Sequence, residues 1–270
     1  TLNPSSAASD VYKRQTYLEQ YRETLGDGWR HFGKLMLLLI VLTMLLIREP
    51  DFGSVVVLGG TFMAMLFLGG TKLRQYLIII AIAGAVLWWL KDSSPYRVAR
   101  ITAYLDPWSD QFNSGYQLTQ SLIAFGRGEW FGVGLGQSVQ KMLYLPEAHT
   151  DFVFAIFAEE FGFLGVICLI GLYCVMVMRI FSFSKKAIDQ QSWYAAFMLI
   201  GFGLLISIQT FINLGVNAGL LPTKGLTLPF VSYGGSSLIV CSAMIGMMLR
   251  IGHDLNQPER VSRRSAYVRR

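Results

Sequence analysis

Charged residues are scarce in this chain: only 15% of its 270 residues are charged, while 53% are hydrophobic. A soluble domain normally carries about 25% charged residues, so the shortage argues against a soluble fold. The hydrophobic residues also fall into blocks, and a helix needs roughly 20 residues to cross a bilayer core. Because lipid leaves backbone groups no water to bond, such spans must be helical. We expect an all-α polytopic membrane protein with six spans, at 33–48, 53–70, 75–91, 152–178, 193–214 and 234–251.

Cysteine and histidine are also rare, with three of each. The cysteines, Cys168, Cys174 and Cys241, lie in hydrophobic blocks without metal-like spacing, so we expect each to be a small buried hydrophobic residue. Glu147, His149 and Asp151 carry plausible ligand atoms, but no second histidine follows at the helical spacing of zinc hydrolases. No tight metal site and no certain cofactor are therefore expected. A loosely held Mg²⁺, or another divalent cation, carried by phosphate groups stays open.

Positive charge is distributed unevenly between the loops. Lysine and arginine are concentrated before residue 35, at 70–75, at 179–192 and after 249, and the positive-inside rule places these segments in the cytoplasm. A large loop at about 92–150 and the segment 215–233 then face outward. The net charge of +6 suits anionic lipid at the inner face. Nucleic-acid binding is disfavoured, because the basic residues are scattered rather than gathered on one face.

The stretch LPEAHTDFVFAIFAEE at 145–160 places several acids at and inside a hydrophobic span. Asp151 lies where the loop enters the span, with Thr150 as a possible helix cap, and it is either a helix-start carboxylate or a functional acid. Glu159 and Glu160 follow about 12 Å deeper, where intramembrane acids are functional candidates. We find no matching cation at their depth, so structural pairing and function stay open for both. The pattern favours a functional Asp151.

The large outer loop contains two predicted helices and a glycine-rich stretch. SPYRVARITAYLD predicts an amphipathic helix that carries Arg97 and Arg100, and GYQLTQSLIAFGRG predicts a second helix that stops at Gly126 and Gly128. The following FGVGLGQS lacks the spacing and the strand of a dinucleotide site. We interpret it as loop turns.

Two further polar positions have both a structural and a functional interpretation. Lys224 lies in GLLPTKGLTLPFVSYGG, which is either a re-entrant turn with its backbone satisfied inside the protein or an anion contact for phosphate. Asp51, at the outer end of two helices, either caps a helix or lines a cavity.

Four motifs, in order, resemble those of the SEDS family (shape, elongation, division and sporulation). They are REPDFGSVVVL, SGYQLTQSLIAFGRGEW, YLPEAHTDFVFAIFAEE and PTKGLTLPFVSYGGSS. The resemblance covers about residues 16–255, and the threonine–lysine pair of PTKGLTLP resembles the cell-division branch. It implies a ten-helix membrane glycosyltransferase that polymerises lipid II into peptidoglycan. Asp151 would then be the general base for the acceptor sugar 4-hydroxyl, with undecaprenyl pyrophosphate as the leaving group.

The remaining site residues and the boundaries are expectations drawn from that reaction and from the sequence itself. Arg97, Arg100, Lys141, Lys224 or a divalent ion would stabilise the pyrophosphate, while Glu147, His149 and Asp51 would shape the substrate site. Residues 1–15 are expected to be a foreign or disordered extension, 16–255 a partial transmembrane domain without the family's first four helices, and 256–270 a basic cytoplasmic tail. A chain truncated in this way is expected to be inactive on its own.

The implied setting is the bacterial inner membrane at the division septum. The implied partners are lipid II, the nascent glycan strand, a class B penicillin-binding protein and other membrane proteins of the divisome. Two alternatives stay open: a lipid II flippase or transporter, suggested by the intramembrane acids and the broken helix at 219–235, and a non-catalytic scaffold for the penicillin-binding protein.

Overall fold

The computed structural model of the protein describes residues 104–113, 115–222 and 225–257, the helix at 52–68 and short stretches between 40 and 84. These residues form helices and turns, and no β-strand occurs among them. A five-residue π-helix, Gln140–Tyr144, precedes the longest helix. The α-helices are α1 (Phe52–Leu68), α2 (Tyr116–Gly128), α3 (Val153–Asp189), α4 (Trp193–Asn217) and α5 (Gly235–Asn256).

Three helices in the described part of the chain, α3, α4 and α5, are long and apolar enough to cross a membrane. They contain 37, 25 and 22 residues, and 22 residues of helix already extend about 33 Å, more than a hydrocarbon core of about 30 Å. Large side chains such as Leu172, Ile239 and Leu249 are exposed on α3 and α5, as expected of lipid-facing surfaces. The chain is therefore a multi-pass membrane protein of the all-α class, as the sequence predicts.

The helices largely follow the predicted spans. The spans at 53–70, 152–178, 193–214 and 234–251 correspond to α1, α3, α4 and α5, and the helix predicted in GYQLTQSLIAFGRG is α2. The largest difference is that α3 continues to Asp189, because its polar end carries lysines that favour a helix C-terminus. The spans at 33–48 and 75–91, and most of SPYRVARITAYLD, lie outside the described residues.

Helices α3 and α4 form a hairpin, and α5 packs against both of them. Ile180 of α3 packs in one fully buried cluster with Leu199 and Ile206 of α4, and Cys241 and Met244 of α5 join it. Burial of Cys241 agrees with the sequence-based expectation. The same expectation is wrong for Cys168 and Cys174, because both are exposed on the surface of α3.

Helix α3 is broken at Gly162, whose φ of 65° and ψ of −168° are not helical. A break leaves carbonyls before it and N–H groups after it without helical partners. The glycine-rich loop at 129–134 enters the break and satisfies both sets. Its four backbone hydrogen bonds, at N···O distances of 2.9, 3.1, 2.9 and 3.2 Å, run from Val133 to Glu159, Gly134 to Glu160, Phe163 to Glu129 and Leu164 to Trp130.

Glycine permits the close contact between this loop and α3. A Cβ on Gly128 would lie 2.1 Å from the Ala158 carbonyl oxygen, and one on Gly132 would lie 2.1 Å from the Glu160 carbonyl oxygen. A Cβ on Gly162 would lie 2.3 Å from the Gly132 nitrogen. Gly128 and Gly132 of the outer loop thus let its backbone approach that of a membrane helix at Gly162.

We predict that Gly162→Ala lowers the free energy of unfolding by about 1–3 kcal/mol, because a side chain is strained at this positive φ and clashes with the loop. Thermal unfolding in detergent micelles measures the change. Gly171→Ala is the matched control in the same helix, since a Cβ there meets nothing within 4 Å. It should be neutral or stabilise by about 0.5–1 kcal/mol. Equal shifts in the two variants would contradict the proposed packing.

Candidate active site

Asp151 lies in a turn that closes just before α3. The Glu147 carbonyl oxygen accepts the N–H groups of Thr150 and Phe152, at 3.2 and 3.3 Å, and Glu147 adopts a left-handed φ of 55°. The Thr150 hydroxyl donates to the Glu147 carboxylate at 2.8 Å and makes no cap for α3. The expectation that Thr150 caps this helix is therefore wrong, because Glu147 takes its hydroxyl. The turn leaves Asp151 half-buried, two residues before α3.

Two buried asparagines at the end of α4 hold the main chain of Asp151. The Asn213 and Asn217 side-chain amides each donate a hydrogen bond to the Asp151 carbonyl oxygen, at 3.0 and 2.9 Å. Asn213 is 1% exposed and Asn217 is fully buried. Because a carbonyl oxygen has two lone pairs, these two bonds use its full accepting capacity.

The segment at 225–234 lines the other side of Asp151. Gly225 lies beside the carboxylate, since a Cβ built on it would be 3.1 Å from Asp151 Oδ2. Further along, the Tyr233 N–H donates to the His149 carbonyl oxygen at 2.8 Å. The Gln209 amide of α4 holds this segment by donating to the Thr227 carbonyl oxygen at 2.9 Å. Several backbone groups of the described part of 219–235 therefore have partners elsewhere in the protein, which is consistent with a re-entrant turn.

Glu159 is a fully buried carboxylate surrounded by donors. The Ser138 hydroxyl donates to it, and the N–H groups of Val139 and Gln140 donate at 3.2 and 3.3 Å. Arg127 Nε lies 3.5 Å from its Oε1. These donors come from the end of α2 and from the start of the π-helix, so Glu159 joins both to α3.

Glu160 forms an ion pair with Lys141, at 2.6 Å between Oε1 and Nζ. The expectation that no cation lies at the depth of Glu159 and Glu160 is therefore wrong. Arg127 and Lys141 belong to the outer loop, and the loop folds back to both acids. Structural pairing is the interpretation that these contacts favour for both glutamates.

The structure brings only part of the expected site together. Asp151, Glu147 and His149 share one turn, with Glu147 and His149 exposed. Lys141 is engaged by Glu160, so much of its charge is balanced away from this turn. The other predicted contacts, Arg97, Arg100, Lys224 and Asp51, lie outside the described residues.

Sequence reasoning did not identify Asn213 and Asn217 as part of the site. The available signal was their spacing of four residues, which places both amides on one face of an apolar helix. Buried amides in such a helix require hydrogen-bond partners. That spacing predicts a partner on one side of α4, although it does not say which one.

The arrangement can support base chemistry. Asp151 is a half-buried carboxylate on a fixed main chain, and a general base works best when its geometry is set before reaction. Among the described residues no group of three histidine, cysteine, aspartate or glutamate side chains is placed to hold a metal ion. Glu147, His149 and Asp151 thus do not offer such a ligand set, and no reaction step is assigned to a protein-held metal.

The helices and the turn around Asp151 define an α-helical, multi-pass membrane protein with an aspartate of fixed main chain just before a span. Residues 11–257 match the family model described as cell cycle protein, FtsW/RodA/SpoVE. The chain belongs to this family, which confirms the resemblance read from its motifs. The match begins at residue 11, inside the segment 1–15 that was expected to be an extension.

The chain is similar to a curated relative and to solved structures. It is 53% identical over 244 residues, 90% of this chain, to the probable peptidoglycan glycosyltransferase FtsW of Legionella pneumophila, and spans 62% of that relative's length. A structure described as the structural coordination of polymerization and crosslinking by a peptidoglycan synthase complex matches with a TM-score of 0.66 and 30% identity, over 88% of this chain and 67% of that one. RodA of Thermus thermophilus matches with a TM-score of 0.54 and 27% identity, over 89% and 62%.

We predict that Glu159→Gln lowers the free energy of unfolding by about 1–3 kcal/mol, because an amide NH₂ would face buried donors that now share a carboxylate. Thermal unfolding in detergent measures the loss. The matched control is Glu160→Gln, which breaks a partly exposed ion pair and should cost less than about 1 kcal/mol. If Glu160→Gln lost more stability than Glu159→Gln, Glu159 would not be the main contact between the outer loop and α3.

Proposed function

We propose that the complete protein is a peptidoglycan glycosyltransferase that polymerises lipid II during septal cell-wall synthesis. The chain spans about 62% of the length of the curated relatives it matches, so the activity is proposed for the whole protein and not for these 270 residues alone. The observation that carries the proposal is Asp151, half-buried before α3 with its carbonyl held by Asn213 and Asn217. The relatives' name, probable peptidoglycan glycosyltransferase, supports it.

In the proposed reaction the Asp151 carboxylate accepts the proton of the acceptor sugar's 4-hydroxyl. The oxygen forms a bond to the anomeric carbon of the donor sugar, and the bond from that carbon to the pyrophosphate oxygen breaks. Undecaprenyl pyrophosphate leaves with the bonding electron pair, and Asp151 releases its proton to water. Base assistance of this kind contributes about 10²- to 10⁴-fold to a rate.

The leaving group needs positive charge more than it needs a protonating acid. We assign this role to Arg97, Arg100 and Lys224, while Lys141 contributes less because Glu160 balances it. Glu147 and His149, exposed beside Asp151, are proposed to contact the sugars, and Asp51 to line the same cavity. Any Mg²⁺ would enter with the pyrophosphate oxygens.

The proposed setting follows the same comparisons. The solved complex that resembles this chain couples polymerization to crosslinking, which supports a class B penicillin-binding protein as the partner. We place the protein in the bacterial inner membrane at the septum, among divisome membrane proteins, with the 92–150 loop outside. Lipid II and the growing glycan strand would reach Asp151 from that side.

The flippase alternative finds little support in the described contacts. A transport path needs polar groups that can exchange partners along the membrane. Glu159 and Glu160, the acids that suggested such a path, are tied to the outer loop by hydrogen bonds and ion pairs. A scaffold role does not conflict with catalysis and is separated from it by the Asp151 experiment below.

We expect Asp151→Asn to lower glycan synthesis by about 10²- to 10⁴-fold, because the amide cannot accept the proton. The assay follows glycan strands made from purified lipid II by the full-length protein, including the N-terminal helices implied by the family resemblance. Asp254→Asn is the control, since that carboxylate pairs with Arg250 near the end of α5 and should leave the rate unchanged. Full activity of Asp151→Asn would refute the base assignment.

We also expect Gly225→Ala to lower kcat roughly tenfold, because its Cβ would lie 3.1 Å from Asp151 Oδ2 and displacement of a reacting group by up to 1 Å can cost about 10²-fold. Gly235→Ala is the matched control, since its Cβ meets nothing within 4 Å. Both variants are assayed with lipid II and checked by thermal unfolding. Equal kcat values for the two would place the reacting carboxylate elsewhere.

A further inference from the structure

The asparagine pair at the end of α4 is more than a general hydrogen-bonded contact between helices. Asn213 and Asn217 lie one turn apart, both buried, and both donate to one acceptor, the Asp151 carbonyl oxygen. A single hydrogen bond would restrain the orientation of that carbonyl group less. Two donors from one rigid helix fix its orientation, and with it the main chain from which the carboxylate extends.

Asn217 also takes the place of a helical hydrogen bond. In an uninterrupted helix the Ala155 N–H would donate to the carbonyl oxygen of Asp151, four residues earlier. Instead, Ala155 N–H donates to Asn217 Oδ1 at 3.2 Å and to the Phe152 carbonyl oxygen at 3.0 Å. The Asn217 amide thus bridges the two groups and keeps Asp151 outside the regular turns of α3.

Asn213 connects the two sides of the site. Its amide donates to the Asp151 carbonyl oxygen at 3.0 Å and also to the carbonyl oxygen of Leu226. Leu226 follows Gly225, the residue beside the Asp151 carboxylate. One side chain therefore sets the spacing between the acid and the segment that faces it.

Further contacts hold the asparagines themselves. The Asn217 amide donates to the Asn213 carbonyl oxygen at 2.9 Å, and the buried Ser121 hydroxyl of α2 donates to the Asn217 carbonyl oxygen at 2.7 Å. A buried hydrogen bond of the same kind, from a serine hydroxyl to a main-chain carbonyl, lies away from this turn. The Ser184 hydroxyl of α3 donates to the Ala196 carbonyl oxygen of α4 at 3.3 Å, and it can be removed without disturbing the asparagines.

We propose that Asn213 and Asn217 are positioning residues that aim the Asp151 carboxylate for proton transfer. This inference rests on the proposed function, because it assigns the asparagines a part in that reaction through Asp151. The competing explanation is that they only join helices, as buried amides in membrane proteins often do. That explanation predicts that any variant with a similar loss of protein stability loses a similar amount of activity.

The test compares Asn213→Ala and Asn217→Ala with Ser184→Ala in the full-length protein, using glycan synthesis from purified lipid II and thermal unfolding in detergent. We expect each asparagine variant to lower kcat by about 10- to 100-fold while KM changes less than about threefold, since a misplaced base affects the transition state more than binding. Ser184→Ala should lower the unfolding temperature, because it removes a buried hydrogen bond between α3 and α4, and should keep kcat within about threefold of the parent.

The proposal is overturned if the asparagine variants keep the parent kcat, or if Ser184→Ala loses as much kcat as they do. If Asn217→Ala does not fold, Asn213→Ala decides the matter, because the Ala155 N–H bonds to Asn217 and not to Asn213. Asp151→Asn in the same assay distinguishes a failure of the proposed function from a failure of the positioning role. Retained activity there refutes the base assignment itself, whereas its loss with unaffected asparagine variants refutes only the positioning role.

Discussion

Satisfaction of backbone hydrogen bonds inside lipid is the constraint on which this structure depends. Membrane helices can be interrupted only where protein groups replace the missing partners. The chain interrupts its helices at Gly162 and again between α4 and α5. In the first case the backbone of the loop at 129–134 supplies the partners, and in the second Asn213 and Gln209 do so. Each of these two interruptions lies next to structural elements that hold the turn containing Asp151.

The outer loop is consequently part of the membrane domain and not a separate appendage. Its glycines enter the break in α3, and its basic side chains neutralise Glu159 and Glu160. Glu159 also accepts the N–H groups of Val139 and Gln140 at the start of the π-helix, and that helix ends only a few residues before the Asp151 turn. The position of the acid is therefore coupled to the packing of the loop on α3.

The sequence predicts the spans well because lipid imposes a long hydrophobic run on each of them, and it predicts α2 because glycine ends that helix. It singles out Asp151 because a carboxylate at the entrance of a hydrophobic span is costly. The break at Gly162 is not predictable, since an isolated glycine in an apolar run is compatible with a continuous helix. Its partner loop lies about 30 residues earlier, and no local pattern connects the two.

The ion pairs and the asparagine contacts escape prediction for the same reason. Arg127 precedes Glu159 by 32 positions, and Asn213 follows Asp151 by 62, so only the folded chain brings them together. The error over Thr150 is different in kind. A threonine before a helix is a good cap by propensity, but the left-handed turn at Glu147 offers its hydroxyl a nearer carboxylate.

Three of the four acids of LPEAHTDFVFAIFAEE, namely Asp151, Glu159 and Glu160, have different surroundings. Glu159 is fully buried, and its carboxylate accepts from a hydroxyl and two N–H groups beside Arg127. Glu160 is balanced by Lys141. Asn213 and Asn217 hold Asp151 through its carbonyl oxygen, and its carboxylate lies beside Gly225. An acid fixed in this way, and only half-buried, combines defined geometry with access to substrate, which is the combination that a general base requires.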